Sequence, residues 1–302
     1  MTWYALLGAL EQGLVYGIMV MGVYLTFRVL DFPDLTVDGS LPLGAAVSAV
    51  AITHGMGPFV SLVLAAGAGF LAGMVTGLLN TKLKILHLLA SILTMIALYS
   101  INIRIMDGPN VSLLGAATVL DPLMAAGLPG FVAAPLVFAV FALAVMACII
   151  WFLHTEMGQA LLATGDNAQM ITSQGVNTHV VIILGVGLSN ALVALSGALV
   201  AQNQGAADVN MGVGTIIAGL ASVIVGETVF GRSGIARACA ASLLGSILYR
   251  LVIALALGLK LGRFSFTPSD LNLITALLVV LALMGPKIKT RWLAGPRKAT
   301  AP

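Results

Sequence analysis

The chain has 302 residues, of which 60% are hydrophobic and 8% charged, with a mean hydropathy of +1.08 and a net charge of +3. A soluble domain carries about a quarter charged residues, so this composition excludes a water-facing surface and leaves lipid as the solvent. The basic residues are scattered between apolar stretches with no aromatic-interleaved stripe, which excludes a nucleic-acid face.

A membrane-crossing helix needs roughly 20 mostly apolar residues to cover about 30 Å of hydrocarbon. Nine segments bounded by charge, Pro or Gly approach that description: Ala5–Val29, Thr36–His54, Pro58–Asn80, Ile85–Arg104, Gly130–Leu153, Val180–Gln202, Gly212–Phe230, Ile235–Leu257 and Leu271–Met284. The second, seventh and ninth are short, which sets the range at eight to ten spans. The predicted fold is an all-α, polytopic helical bundle in one domain spanning residues 1–302. Met1 to Tyr4 carries no Lys or Arg, and the apolar run behind it is long, so it reads as a retained first helix rather than a cleaved leader. Cys148 and Cys239 fall inside apolar runs, where cysteine acts as a small hydrophobe.

Lys287, Lys289, Arg291, Arg297 and Lys298 place the tail 286–302 in the cytoplasm by the positive-inside bias. Nine spans then put the N-terminus outside. The same orientation places Arg28, Lys82, Lys84, Arg232 and Arg237 inside, and Arg104, Lys260 and Arg263 outside. Gly13 and Gly17, then Gly69, Gly73 and Gly77, recur at intervals of four, the spacing that lets helix backbones approach closely in lipid. Residues 32–51 and 210–231 each open with a Pro- or Gly-interrupted stretch that runs into a small-residue helix. Their offset of five spans would relate them as inverted repeats, an arrangement that sets a transport pathway at the repeat interface.

Two segments concentrate polar chemistry. The first, Asp31-Phe32-Pro33-Asp34-Leu35-Thr36-Val37-Asp38-Gly39-Ser40, sets three carboxylates beside an apolar helix, where charge is costly. Pro33 breaks the preceding helix, and Asp34 or Thr36 is placed to cap the next one. The alternatives are an interfacial capping turn or a broken helix lining a pathway. The second, the loop 154–179, holds Thr164-Gly165-Asp166-Asn167, from which Asp166 or Asn167 would cap a short helix that Gly175 ends. Such a helix either connects two spans or docks into another protein. Glu227 and Arg250 fall deep in spans, where charges pair or face a bundle interior. Asn102, Gln202 and Asn203 are amides near outer ends, suited to contacting solute or to bonding between helices.

These stretches resemble the permeases that import branched-chain amino acids and ribose. Thr164 to Val176 is similar to their coupling-helix motif. Asp34 to Ser40 resembles the Asp-Leu-Ser-Val-Gly run of the sugar members, with Asp38 inserted near the usual Gly, and Val223-Ile224-Val225-Gly226-Glu227 resembles Val-Ile-Val-Gly-Gly, with Glu227 replacing the last Gly. Phe32 to Ser40 and Leu192 to Asp208 carry a likeness to the subgroup labelled as tryptophan or tyrosine systems, whose binding proteins are lipoprotein-like.

The resemblance implies a bacterial inner-membrane permease, paired with a second copy, two ATP-binding subunits and an extracytoplasmic binding protein. It implies ATPase coupling through Gly165, Asp166, Asn167, Ala168, Met170, Gly175 and Val176, and a solute pathway that includes Asp34, Thr36, Asp38, Ser40, Asn102, Gln202, Asn203 and Glu227. The chain has no G-x-x-x-x-G-K-[ST] cradle, so ATP and Mg would bind to the partner and no cofactor is expected here. The competing expectation is an ion- or proton-coupled carrier using Asp34, Asp38 and Glu227. An intramembrane enzyme is the weakest reading, because His54, His87, His154 and His179 have no ligand spacing.

Overall fold

The computed structural model describes residues 3–258 except 126, 128 and 232, together with residues 260, 261, 264, 265 and 280. Among these, ten α-helices occur in order: α1 (Trp3–Tyr24), α2 (Val37–Thr53), α3 (Pro58–Thr81), α4 (His87–Met106), α5 (Asp121–Ala125), α6 (Gly130–Leu153), α7 (Glu156–Ser173), α8 (Thr178–Gln204), α9 (Thr215–Phe230) and α10 (Ile235–Gly258). A π-helical turn, Leu25–Val29, extends α1. Short strands β1 (Asn110–Ser112) and β2 (Ala206–Asp208) pair antiparallel and tie the end of α4 to the end of α8. A second small hairpin pairs β3 (Lys260–Leu261) with β4 (Phe264–Ser265).

The bundle is all-α, but eight of the nine predicted spans, those within the described residues, resolve into two kinds of helix. Among the described residues six are long and apolar enough to cross a membrane: Tyr4–Val29, α3, α4, α6, α8 and Ile235–Ala256 within α10. The predicted second and seventh spans, α2 and α9, have 17 and 16 residues. At 1.5 Å per residue each is about 25 Å long, short of the hydrocarbon thickness. Of the predicted ninth span, Leu271–Met284, only residue 280 is described, and the tail 286–302 lies outside the described residues.

Glycine decides which helices touch. A Cβ at Gly69, Gly73 or Gly77 of α3 would run into Asn190, Val186 or Ile183 of α8, in an order that makes the two helices antiparallel. Gly13 and Gly17 of α1 meet Ile247 and Leu243 of α10 in the same way. The recurring glycines are therefore contact points, where a missing side chain lets backbones close to van der Waals distance. Both short helices sit inside this frame. Helix α2 packs between α3 and α8, and runs parallel to α8 because Gly44 meets Ala194 while Ser40 reaches Asn190. Helix α9 packs on α10 and α1, antiparallel to α10, with Gly226 against Ala241 and Gly245 against Ser222.

Buried hydroxyls find partners within the bundle. Ser189 and Ser196 of α8 donate to the carbonyls of Gly22 and Val15, and Ser246 of α10 donates to Gly13. Outward faces stay apolar, as with Val63 and Leu71 of α3 or Val140 and Trp151 of α6. Cys148 is exposed on this outer surface and Cys239 is buried.

Gly73→Ala places a methyl against the Val186 carbonyl, and should lower stability in detergent by about 1–3 kcal/mol, the usual cost of overpacking. Gly67→Ala, which meets nothing within 4 Å, should be neutral or gain up to about 1 kcal/mol of helix propensity. Thermal unfolding of the two variants side by side checks the difference.

Candidate functional site

After the π-helical turn the chain leaves helical geometry at Asp31, whose φ is +51°, and runs through Pro33 into the bundle before α2 begins. Phe32 is buried and sets its ring edge-on to His87, with centroids 4.6 Å apart. Asp34 is also buried. One carboxylate oxygen accepts from the Thr36 amide at 2.9 Å and the other from Asn190 Nδ2 at 2.7 Å. Ser40 donates to Asn190 Oδ1 at 2.7 Å, and the Thr36 and Thr76 hydroxyls pair at 2.9 Å. Asn190 lies midway along α8, so α2 starts at the middle of the bundle rather than at its rim.

Asp38, in the first turn of α2, reaches the first turn of α9. Its carboxylate accepts from the amides of Gly214 at 3.1 Å and Ile216 at 2.8 Å, and from the Thr215 hydroxyl at 3.0 Å. The first amides of any helix lack intrahelical partners, and here a side chain from another helix supplies them. Gly212 permits the approach, since a Cβ there would collide with the Asp38 carbonyl. The two short helices thus meet start to start around one carboxylate.

Beside this junction lies a cavity of about 400 Å³ between α2, α4 and the loop before α9. Asp38 and Asn102 are its polar members nearest the junction, and Met95, Ile96, Tyr99 and Ser100 of α4 form one wall. Asn102 is fully buried and donates to the Gly39 carbonyl at 3.2 Å, but its Oδ1 has no hydrogen-bond partner.

The predicted coupling loop is mostly helix. Thr155 caps α7, accepting from the Gly158 amide. At Asn167 the backbone turns extended (φ −157°, ψ 92°), and its side chain accepts from the Met170 amide at 3.0 Å, starting a second short helical piece. Of the two predicted caps, Asn167 makes the bond. Gly175 comes next at φ +89°, and Val176 packs against the core. Asp166, Asn167, Ala168 and Met170 are exposed, while Ile171 is buried and anchors the piece. Gly165 packs on the Val29 carbonyl, where a Cβ would not fit.

The remaining predicted site residues lie apart from the cavity. Gln202 is buried, accepting from the Val119 amide and donating toward Ser48 and Ser61. Asn203 donates to Glu11. Glu227 pairs with Arg28 through two hydrogen bonds, joining the ends of α9 and α1, and Arg250 stacks over the Tyr16 ring at 3.9 Å. Asn190 and the α4 wall residues escape the sequence reading. An amide inside an apolar span was the available signal for Asn190, whereas Tyr99 and Ser100 look like ordinary span residues. Among the described residues there is no His, Cys, Asp and Glu group able to hold a metal.

Helices that begin halfway, joined around a carboxylate inside a bundle of long apolar helices, are the arrangement of a polytopic membrane transport protein. The family model described as "Branched-chain amino acid transport system / permease component" matches residues 5–284, and the chain belongs to that family. It is therefore a multi-pass transport permease, the membrane subunit of an ATP-driven importer, and not an enzyme; permeases of this kind work with an ATPase and a binding protein.

The chain is 40% identical over 279 residues to a tyrosine transport system permease protein of Clostridioides difficile (strain R20291), covering 92% of this chain and 90% of that one. An uncharacterized protein of Rickettsia prowazekii (strain Madrid E) is 34% identical over 63% of this chain and 65% of its own. A galactofuranose transporter permease of Escherichia coli (strain K12) is 27% identical over 53% of this chain and 46% of its own. No solved structure matches.

Asp38→Ala removes the acceptor shared by the Gly214 and Ile216 amides, and should cost about 2 kcal/mol or more, at the upper end for a helix cap. Hydrogen exchange at residues 214–218 should accelerate while exchange along α3 and α8 stays as it is.

Proposed function

We propose that this chain is one half of the translocation pathway of an inner-membrane importer for an amino acid, working as a homodimer with two ATPase subunits and a binding protein that delivers the solute. The observation that carries the pathway assignment is the start-to-start meeting of α2 and α9 at Asp38. Helix starts at the centre of a bundle are where transporters place solute contacts. The amino-acid reading is supported by the tyrosine permease relative, which this chain matches over most of its length.

The packing supports an inverted-repeat origin. Helices α1–α2–α3 correspond to α8–α9–α10: α2 lies against α3 and α8, and α9 lies against α10 and α1. The whole of residues 1–302 is then one permease domain, with its C-terminus cytoplasmic and N-terminus outside. In this scheme the exposed piece after Asn167 docks on the ATPase, which binds ATP and Mg, and Gly165 pressed on Val29 passes the push to the end of α1. Asp34, Thr36, Ser40 and Asn102 line or brace the pathway, and Gln202, Asn203 and Glu227 hold its helices in place. The ion-coupled alternative loses support because Asp34, Asp38 and Glu227 are each engaged by fixed donors rather than free to carry a proton or ion.

Reconstituted with its ATPase and binding protein, the wild-type chain should accumulate solute only with ATP. Uptake by this chain alone under an ion gradient would overturn the reading. Asp166→Lys should lower uptake at least about tenfold while ATP hydrolysis persists, since the replacement reverses charge on the docking face. Comparing hydrolysis with uptake in the same vesicles measures the uncoupling.

A further inference from the structure

We infer that a second cavity, between the α3–α4 turn and the start of α8, binds the phosphate of an anionic lipid headgroup, with Lys84 and His179 as its determinants. Three long apolar helices end together there: α3 at Thr81, α4 at His87 and α8 at Thr178. The ends of membrane-crossing helices lie at the depth of lipid headgroups, so an opening between them is within a headgroup's reach. The cavity holds about 310 Å³, within the range of roughly 300–1,000 Å³ typical of small-molecule sites. Among the described residues it shares no lining member with the cavity beside Asp38.

Its donors converge from two distant stretches of chain. Lys84 and His87 come from the α3–α4 side, and His179 from the first turn of α8. All three are exposed, and none of their side chains has a hydrogen-bond or ion-pair partner among the described residues. Lysine brings a full charge with three N–H donors, and an imidazole keeps one N–H even when neutral. Lys84 stands at φ +54°, an uncommon conformation for a residue with a side chain, in a turn that Asn80 ties by donating to the Ile85 carbonyl at 2.8 Å. Asn80 is thus engaged by the fold, and Asn177 caps α8 by accepting from the His179 amide at 3.1 Å. The free donors are therefore the ammonium and the two imidazoles, and the α8 dipole adds to their attraction for an anion.

The lining has no Asp or Glu among the described residues, which makes the ligand an anion. Asp31 is near enough for its charge to act on His87, but it lines the neighbouring cavity with Arg28 and Asp166. The rim makes that anion a lipid. Leu86, in the lining, is 75% exposed, and Leu83 and Val180, beside the cationic residues, are exposed as well. Apolar side chains around a cationic centre suit a phosphate that carries acyl chains, whereas a soluble phosphate gains nothing from them. Basic pockets between the ends of membrane helices take anionic headgroups on this principle. Lys82 is also exposed but is not part of the lining, so charge at this end of the bundle and charge in the cavity can be separated.

The full-length chain, purified in detergent with and without its ATPase and stripped of lipid, is titrated with phosphatidylglycerol or phosphatidylcholine, and bound lipid is counted by native mass spectrometry. The wild type should bind phosphatidylglycerol at least about fivefold more tightly than phosphatidylcholine. Lys84→Gln and His179→Leu should each weaken phosphatidylglycerol binding by about fivefold or more, while Lys84→Arg retains it. Lys82→Gln removes the same charge two residues away and should leave binding unchanged. Equal losses in Lys82→Gln and Lys84→Gln would reduce the effect to diffuse surface charge and overturn the site. Equal binding of the two lipids would overturn the anionic ligand. Displacement of the lipid by millimolar glycerol phosphate would make the ligand a soluble phosphate ester, and exclusion of the lipid by bound ATPase would make the surface a protein contact; either overturns the lipid assignment.

Discussion

A helix that begins inside a bilayer must find partners for its first amides within the protein, because hydrocarbon offers none. That requirement governs the centre of this molecule. Helix α9 meets it with Asp38 from α2, and α2 is steadied by the Asx turn at Asp34 and the Asn190–Ser40 bond. A charge that would be costly in lipid becomes tolerable by accepting several bonds at once. Helix α9 therefore depends on a residue of α2, and α2 in turn leans on Asn190 of α8.

The glycines answer the same requirement. Bringing Asp38 within reach of α9 needs Gly212 against its carbonyl, and seating α2 on α8 needs Gly44 against Ala194 and Gly197 against Leu41. Around that centre the long helices close through Gly69, Gly73 and Gly77 on one side and Gly13 and Gly17 on the other. In lipid, tight backbone approach replaces the hydrophobic effect as the source of helix association.

The end of the bundle that carries α7 obeys a related logic. Asn167 interrupts α7 and caps its second piece, where Ala168 and Met170 are exposed and Ile171 is the buried anchor. Gly165 rests on Val29, one residue past Arg28, whose partner Glu227 lies near the end of α9. Contacts thus run from α7 to the end of α1 and from there to the end of α9. A rigid displacement of one would be felt by the other.

Composition and span length determined the all-α membrane bundle, because an apolar chain in lipid must bond its backbone internally and helices do so locally. Local chemistry also marked the caps: a cap at Asp166 or Asn167 before the short helix and Gly175 after it are legible from residue type and spacing, and the structure chose Asn167. The interval of four between glycines marked the contact faces without naming the partner helices. Only the tertiary structure decided that α2 and α9 begin in the middle, that Asp38 serves α9 rather than its own helix, and that Glu227 pairs with Arg28. Those are contacts between residues far apart in the chain, and periodicity carries no information about them. The cavity wall of Tyr99 and Ser100 was hidden for the same reason, since a side chain in an apolar span looks alike whether it faces lipid or an opening until its neighbours are in place.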